Sequence, residues 1–247
     1  MPLDEYRRKR DFARTTEPAP VERPTPRVRA RALTFCVQKH LATALHYDLR
    51  LEHAGVLLSW AVPKGPSIDP TVKRLAMQTE DHPYDYGEFE GIIPDGYGAG
   101  VVMLWDRGTW VPEVEDVGAA LEKGDLKFRL DGYKLKGSWA LVRTRGFGAR
   151  GASGRDGKSW LLLKHKDEWA GPIDIAEFAP LSVKSGGDFA DILGAQLPAF
   201  WTSNPGVKSD STMVASLRAI VDKVTKLGPS RAQPQEPPPS RRPTRKK

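Results

Sequence analysis

A mainly β fold, antiparallel and closed or nearly closed on itself, is what this sequence predicts, and three observations predict it. From Leu33 to His165, short runs rich in aliphatic, aromatic and β-branched residues follow one another, punctuated by Gly, Pro and Asp. Little helical periodicity lies between them. The segment from His46 to Glu52 alternates strictly between polar and apolar residues, the mark of a strand with two unlike faces.

In chain order, residues 1–31 form an arm whose second half, 16–31, holds four prolines among alternating charges and reads as an extended lead-in. The body, 32–170, carries candidate strands at 33–38, 45–52, 55–61, 73–79, 100–105, 126–130, 133–142 and 158–165. One short helix fits 116–122, with Asp116 as its cap and Gly124 as its stop. Residues 171–229 change character: a Gly-, Pro- and Ser-rich linker with a short helix near Phe189–Leu193, then a helix whose stripe is Leu217, Ile220, Val221, Val224 and Leu227, ended by Gly228-Pro229. Residues 230–247, Pro-rich and basic, are expected to be a disordered tail.

The 247 residues, 39% of them hydrophobic, suffice for one good core. No apolar run is long enough to span a bilayer, so no membrane partner is expected. The cluster Arg7-Arg8-Lys9-Arg10 is not followed by the apolar stretch of a secretory signal. A single cysteine, Cys36, makes no internal disulfide and fits a reducing compartment. The net charge of +7 is concentrated at the ends: residues 1–31 carry +4, residues 231–247 carry +5, and the body between them −2. Two basic arms around a nearly neutral body suit a polyanion bound through phosphate contacts, and suit solubilising tails almost as well.

The chemistry concentrates in Gln38-Lys39-His40-Leu41-Ala42-Thr43-Ala44-Leu45-His46-Tyr47-Asp48-Leu49-Arg50-Leu51-Glu52. On a strand, His46, Asp48, Arg50 and Glu52 share one face, neighbours about 7 Å apart. His46 and Asp48 could ligate one divalent metal, and His40 joins them if Leu41–Ala44 turns the chain back. Two imidazoles and a carboxylate leave coordination positions open, as catalysis requires, and suit manganese, iron or zinc alike. Arg50 beside them could clamp a phosphate oxygen. A solvent-facing strand with incidental histidines is the plainer alternative, although only five histidines occur in the chain and two stand here in step with an Asp.

In the second informative segment, Lys73 to Gly91, the residues Arg74, Ala76, Gln78, Glu80 and His82 share one parity, so Arg74, Glu80 and His82 are expected along one groove. Pro83 ends that strand, and Tyr84, Tyr86 and Phe89 follow in a loop, Phe89 read as closing the barrel end. Lys64 sits in the rigid turn Pro63-Lys64-Gly65-Pro66, as a phosphate contact or a plain turn lysine. Gly96, Gly98 and Gly100 lack the Gly-Lys-Ser/Thr of a nucleotide loop. His53 and His165 have no polar partner in step.

Taken in order, these segments resemble the 3′-phosphoesterase module of bacterial DNA ligase D. The likeness runs through Ser59-Trp60-Ala61-Val62-Pro63-Lys64-Gly65-Pro66-Ser67, Glu80-Asp81-His82-Pro83, Phe89-Glu90-Gly91-Ile92-Ile93-Pro94, Tyr97-Gly98-Ala99-Gly100, Trp105-Asp106, Lys134-Leu135-Lys136-Gly137 and Trp160-Leu161-Leu162-Leu163-Lys164. Tyr6, Lys9-Arg10-Asp11-Phe12 and Thr16-Glu17-Pro18 fit the family's opening, so the resemblance covers roughly 3–170. It implies an eight-stranded barrel with a polar groove, manganese as the favoured metal with zinc or cobalt as substitutes, and two activities at a primer-template 3′ end. The first removes a terminal ribonucleoside and leaves a 3′-phosphate; the second removes that phosphate. By motif position it makes His40, His46 and Asp48 metal ligands, puts Arg50 and His82 on the scissile phosphate, and has Tyr86 support the site. Lys64, Arg74, Gln38 and Glu80 become groove contacts, and Arg10 and Asp11 part of an arm that closes over the site.

Two departures stand out. Thr43-Ala44 replaces the basic residues usual before the second histidine, which is expected to weaken DNA contact and leave the metal untouched. The turn Pro94-Asp95-Gly96-Tyr97-Gly98 is one residue shorter than usual. The resemblance implies a stand-alone module in the bacterial cytoplasm, at the nucleoid, with a Ku-like end binder and a separate ligase acting in trans. Two other readings share part of the pattern. A non-catalytic end-joining scaffold has no use for the set His40, His46, Asp48 and His82; a cupin-like oxygenase has none for Arg50, Arg74 and Lys64 around its metal.

Overall fold

The computed structural model describes residues 33–94, 98–144, 157–195 and 210–228. Its strands are β1 (Leu33–Leu41), β2 (Leu45–His53), β3 (Val56–Val62), β4 (Lys73–Gln78), β5 (His82–Pro83), β6 (Gly91–Ile93), β7 (Gly100–Pro112), β8 (Asp125–Gly132), β9 (Lys136–Arg143) and β10 (Ser159–Lys164). The helices are α1 (Val117–Lys123), α2 (Ile175–Phe178), α3 (Phe189–Gly194) and α4 (Asp210–Leu227), and a 3-10 turn spans Tyr84–Glu88.

Eight strands pair in the order β1-β2-β3-β4-β10-β9-β8-β7, and β7 returns to β1, so the sheet closes into an antiparallel barrel. These are the eight runs the sequence marks. The short strands β5 and β6 lie outside the ring, β5 on β3 and β6 on the first part of β7. Neither has enough residues to show a period of two.

Closure follows from side-chain parity. On β2, Tyr47, Leu49 and Leu51 point inward; on β3, Val56, Leu58, Trp60 and Val62 do, and all belong to one core cluster. Trp60, Trp105, Trp110, Trp139 and Trp160 are fully buried in it, so the barrel is packed solid. The β2–β3 hairpin closes through Ala54 (φ 49°) and Gly55 (φ 82°), the left-handed pair of a two-residue turn that matches strand twist.

The polar row His46, Asp48, Arg50 and Glu52 therefore lies on the outer wall. Yet Asp48, Arg50 and Glu52 are buried, because the chain from His82 to Ile93 folds back over β1, β2 and β3 as a flap. Tyr86, Phe89 and Ile93 form a second small cluster with the outward-facing Val102. Gly87, in the 3-10 turn, sits directly over Leu57 and Cys36. Phe89 thus belongs to the flap, not to the barrel end.

Helix α1 starts at Asp116, whose side chain accepts from Ala119 N at 3.0 Å, and stops at Gly124 in the left-handed region. Residues 171–195 pack on the barrel: Trp105 Nε1 donates to Ala179 O, Val183 N to Leu104 O, and Phe189 enters the core. Helix α4 buries Ile220 and Val224 and half-buries Leu217, while Val221 and Leu227 stay exposed. Its docking stripe is narrower than the sequence periodicity. Among the described residues no helix is long and apolar enough to cross a membrane.

Candidate metal centre

Strand register brings the ligand set together. Across β1 and β2, His40 pairs with His46, Gln38 with Asp48 and Cys36 with Arg50. Across β2 and β3, Asp48 pairs with Ala61 and Arg50 with Ser59. The outer wall is therefore a small grid with two imidazoles in its first row, a carboxylate in the second and a guanidinium in the third. The three-residue link Ala42–Ala44 sets His40 opposite His46, the reversal that a shared metal demands.

His40 Nδ1 and His46 Nε2 each lie 3.7 Å from Asp48 Oδ2, too far for a hydrogen bond. The other nitrogen of each ring is tied to a backbone carbonyl: His40 Nε2 donates to Gly98 O at 2.8 Å, and His46 Nδ1 to Ala44 O at 3.0 Å. A carbonyl only accepts, so those nitrogens carry protons, and the other nitrogen of each ring is the one that faces the carboxylate. Backbone carbonyls orienting imidazoles in this way are the usual outer shell of a metal site. One ligand atom from each of the three residues lies within 4.8 Å of the others. Ligands about 2.1 Å from a common ion sit about 3.0–3.5 Å apart, so small rotations complete the site. Two imidazole nitrogens and a carboxylate oxygen converging in this way could hold one metal ion.

Burial favours the neutral acid at Asp48, but the Arg50 guanidinium and the two neighbouring imidazoles outweigh it and hold the carboxyl well below the ordinary carboxylate range. Arg50 Nη2 approaches Asp48 Oδ2 at 3.3 Å, Nη1 donates to Ser59 Oγ at 2.8 Å and Nε to Gln38 Oε1 at 2.7 Å. Among the described residues these contacts use three of the five guanidinium N–H groups. The guanidinium also stacks over the Tyr86 ring, 4.9 Å from its centroid.

His82 reaches this cluster from β5. Its Nδ1 lies 2.8 Å from Glu80 O and 3.4 Å from Ser59 Oγ, and its ring stands 5.0 Å from that of Tyr86. Arg50, His82, Tyr86 and the ligand triad thus form one contiguous site. Lys64 is exposed in the turn after β3, which leaves the sheet beyond the Tyr47–Val62 pair at the His46 end of the site. Ala61, opposite Asp48 on β3, is half-buried.

Other expected residues fall elsewhere. Gln38 is fully buried; its Nε2 donates to Tyr86 O and Phe89 O while Oε1 receives Arg50, so it fastens flap and guanidinium where a groove contact was expected. The shared parity from Arg74 to His82 breaks after Gln78, where β4 ends. Ala76 is in the core, Gln78 accepts from Trp160 Nε1, and Arg74 pairs with Leu162 on the inward parity, so the register does not bring Arg74 to the triad. Glu80 is buried in the link to β5 and orients His82 through its carbonyl. Arg10 and Asp11 lie outside the described residues, as do Asp95, Gly96 and Tyr97 of the shortened turn. Glu52 is occupied by Thr34, and His165 meets Ser138 Oγ at 2.8 Å, a partner that spacing did not show. Ser59, which joins Arg50 to His82, was not singled out; its signal is that it is the one polar residue of strand β3.

Residues 38–143 match the family described as the DNA Ligase D 3′-phosphoesterase domain. The multifunctional non-homologous end joining protein LigD of Pseudomonas aeruginosa is 54% identical over 174 residues, 70% of this chain and 20% of that protein. The LigD protein of Mycolicibacterium smegmatis is 40% identical over 191 residues, 74% of this chain and 23% of that protein. For the DNA repair protein LigD of Mycobacterium tuberculosis the figures are 46% over 145 residues, 58% and 18%. The chain spans about a fifth of the length of these relatives.

Proposed function

Residues 38–143 belong to the DNA ligase D 3′-phosphoesterase domain family, and from that membership we propose that this protein is a metal-dependent phosphoester hydrolase that prepares DNA 3′ ends for end joining. One observation carries the reading: the acceptor triangle of His40, His46 and Asp48 lies directly against a buried guanidinium that still has N–H groups to give. A cation and a phosphate have adjacent places there.

The proposed substrate is a primer-template 3′ end. In the first reaction water adds to the phosphorus that joins the primer to a terminal ribonucleoside, the bond to the ribonucleoside 5′-oxygen breaks, and the primer keeps a 3′-phosphate. In the second, water adds to that phosphate, its bond to the primer 3′-oxygen breaks, and a ligatable 3′-hydroxyl remains. His40, His46 and Asp48 would hold the metal, for which manganese is the first choice; such a cation polarises a phosphoryl oxygen and supplies activated water. Arg50, fixed by Gln38 and Ser59, neutralises the charge that builds on the phosphoryl oxygens. His82 adds an imidazole to the same phosphate, Tyr86 holds guanidinium and imidazole in place, and Lys64 meets a phosphate further along the strand. A Ku-like end binder and a separate ligase are the proposed partners.

A 5′-labelled primer with one 3′ ribonucleotide, incubated with Mn2+ or with EDTA, tests the reading. Products ending first in 3′-phosphate and then in 3′-hydroxyl are expected with Mn2+ alone, and neither from folded Asp48→Ala. Full Mn2+-dependent activity in Asp48→Ala overturns the ligand assignment, and no product from the wild type overturns the reaction.

A further inference from the structure

The link that sets the two imidazoles opposite each other does not hold its own shape. Ala42-Thr43-Ala44 joins the Leu41–Leu45 pair, one rung from His40 and His46. Three-residue hairpin links usually close through a residue in the left-handed region, commonly Gly. None of these three residues has positive φ, and none is Gly, Asn or Asp. The link is therefore shaped from outside. On one side β7 begins against it, so closely that a side chain at Gly100 would collide with Leu41 O. On the other side Lys223 Nζ donates to Ala42 O at 2.7 Å, across 181 positions of sequence.

Lys223 sits on α4 beside Ile220 and Val224, the two side chains that anchor this helix in the core, so its reach is fixed by packing. Two residues beyond Ala42, Ala44 O receives His46 Nδ1 and orients that ring. Helix α4 lies outside the segment that matches the family.

We propose that Lys223 is a positioning residue for the metal centre: through its hydrogen bond to Ala42 O, helix α4 holds the β1–β2 link in the shape that points His40 and His46 at one ion. The helix thereby couples the C-terminal part of the chain to metal affinity. This rests on the reading of His40, His46 and Asp48 as ligands and needs no particular reaction.

The test uses the full chain and Mn2+ alone, titrated calorimetrically, with hydrogen exchange of amides 42–46. Lys223→Met removes the donor and keeps the stem; it is expected to weaken Mn2+ binding roughly five- to tenfold, near the lower end of outer-shell effects, and to speed exchange in the link. Lys223→Arg, which restores a donor, brings affinity back to within about twofold, and Asp222→Ala, on the exposed side of α4, changes neither reading. Circular dichroism checks the fold; should Lys223→Met unfold, Lys223→Gln takes its place under the same criteria. Unchanged Mn2+ affinity and exchange in the folded variant overturn the proposal. A protein inactive on DNA ends whose Mn2+ affinity still falls in Lys223→Met keeps the brace and loses the reaction. An active one indifferent to Lys223→Met does the reverse, and a wild type that binds no Mn2+ overturns the ligand set and the brace with it.

Discussion

At the scale of single residues, the site depends on where hydrogen-bond capacity is already committed. Gln38 spends its amide on three partners while fully buried, so its loss would take one donor from the Phe89 carbonyl and leave one guanidinium N–H without its acceptor, while Tyr86 O keeps the Phe89 N–H. Each stranded group costs about 1–3 kcal/mol. Gln38→Leu is therefore expected to lower stability by about 2 kcal/mol or more in urea denaturation, and to speed amide exchange in the flap at 84–90. A stability change under about 1 kcal/mol would mean that the flap is not fastened there. Asp48 shows the other side of the same economy: one oxygen faces Arg50 and both imidazoles, so the anion is held ready for a cation.

At the scale of elements, the barrel wall and its attachments separate cleanly. Helix α1 lies between β7 and β8 in the chain and owes its start to Asp116. Removing that cap with Asp116→Ala is expected to cost about 1 kcal/mol of stability and leave Mn2+ affinity and turnover as they are. An effect on Mn2+ binding would show that the barrel transmits strain from α1 to the metal site. The flap behaves differently. It contributes few residues to the main core, yet its small apolar cluster buries the outer face of β1–β3 and turns an exposed polar row into a low-dielectric site.

At the scale of the whole molecule, strands distant in sequence meet at buried polar groups, and one of them sets a pH dependence. Asp106 is fully buried on β7, accepting from Lys134 N and Leu135 N in the β8–β9 turn. Burial pushes its carboxyl up to about 6 from 3.8, against the backbone N–H groups that favour the anion. Between those two values the folded chain keeps a proton that the unfolded chain releases. The contribution of Asp106 to stability is thus complete below 3.8 and is lost as pH rises through about 6. Urea denaturation of the wild type and of Asp106→Asn across this range should show a difference in slope, with the variant lacking the fall due to this group. Parallel curves would place the Asp106 carboxyl back in the ordinary range.

Much of the site was legible because it is local. The period of two from His46 to Arg50 names the outward row, and reversal of the chain after His40 brings in the second imidazole; short β-rich runs broken by Gly, Pro and Asp likewise locate every strand of the ring. What pattern could not show depends on contacts between distant segments. The apparent parity from Arg74 to His82 is interrupted where β4 ends, so one sequence rule spans two differently placed strands. Gln38 and Ser59 look like ordinary strand residues until the flap and Arg50 arrive beside them. Gly98 O and Lys223 act on the imidazoles and their link from 58 and 181 positions away, where no periodicity reaches. The sequence by itself determined the ring of strands and the polar row on β2, since strand propensity and alternation operate residue by residue. Only the tertiary structure decided that the row lies on the outer wall, beneath a flap and beside a C-terminal helix, because that depends on how the closed barrel is covered, and covering is a property of packing.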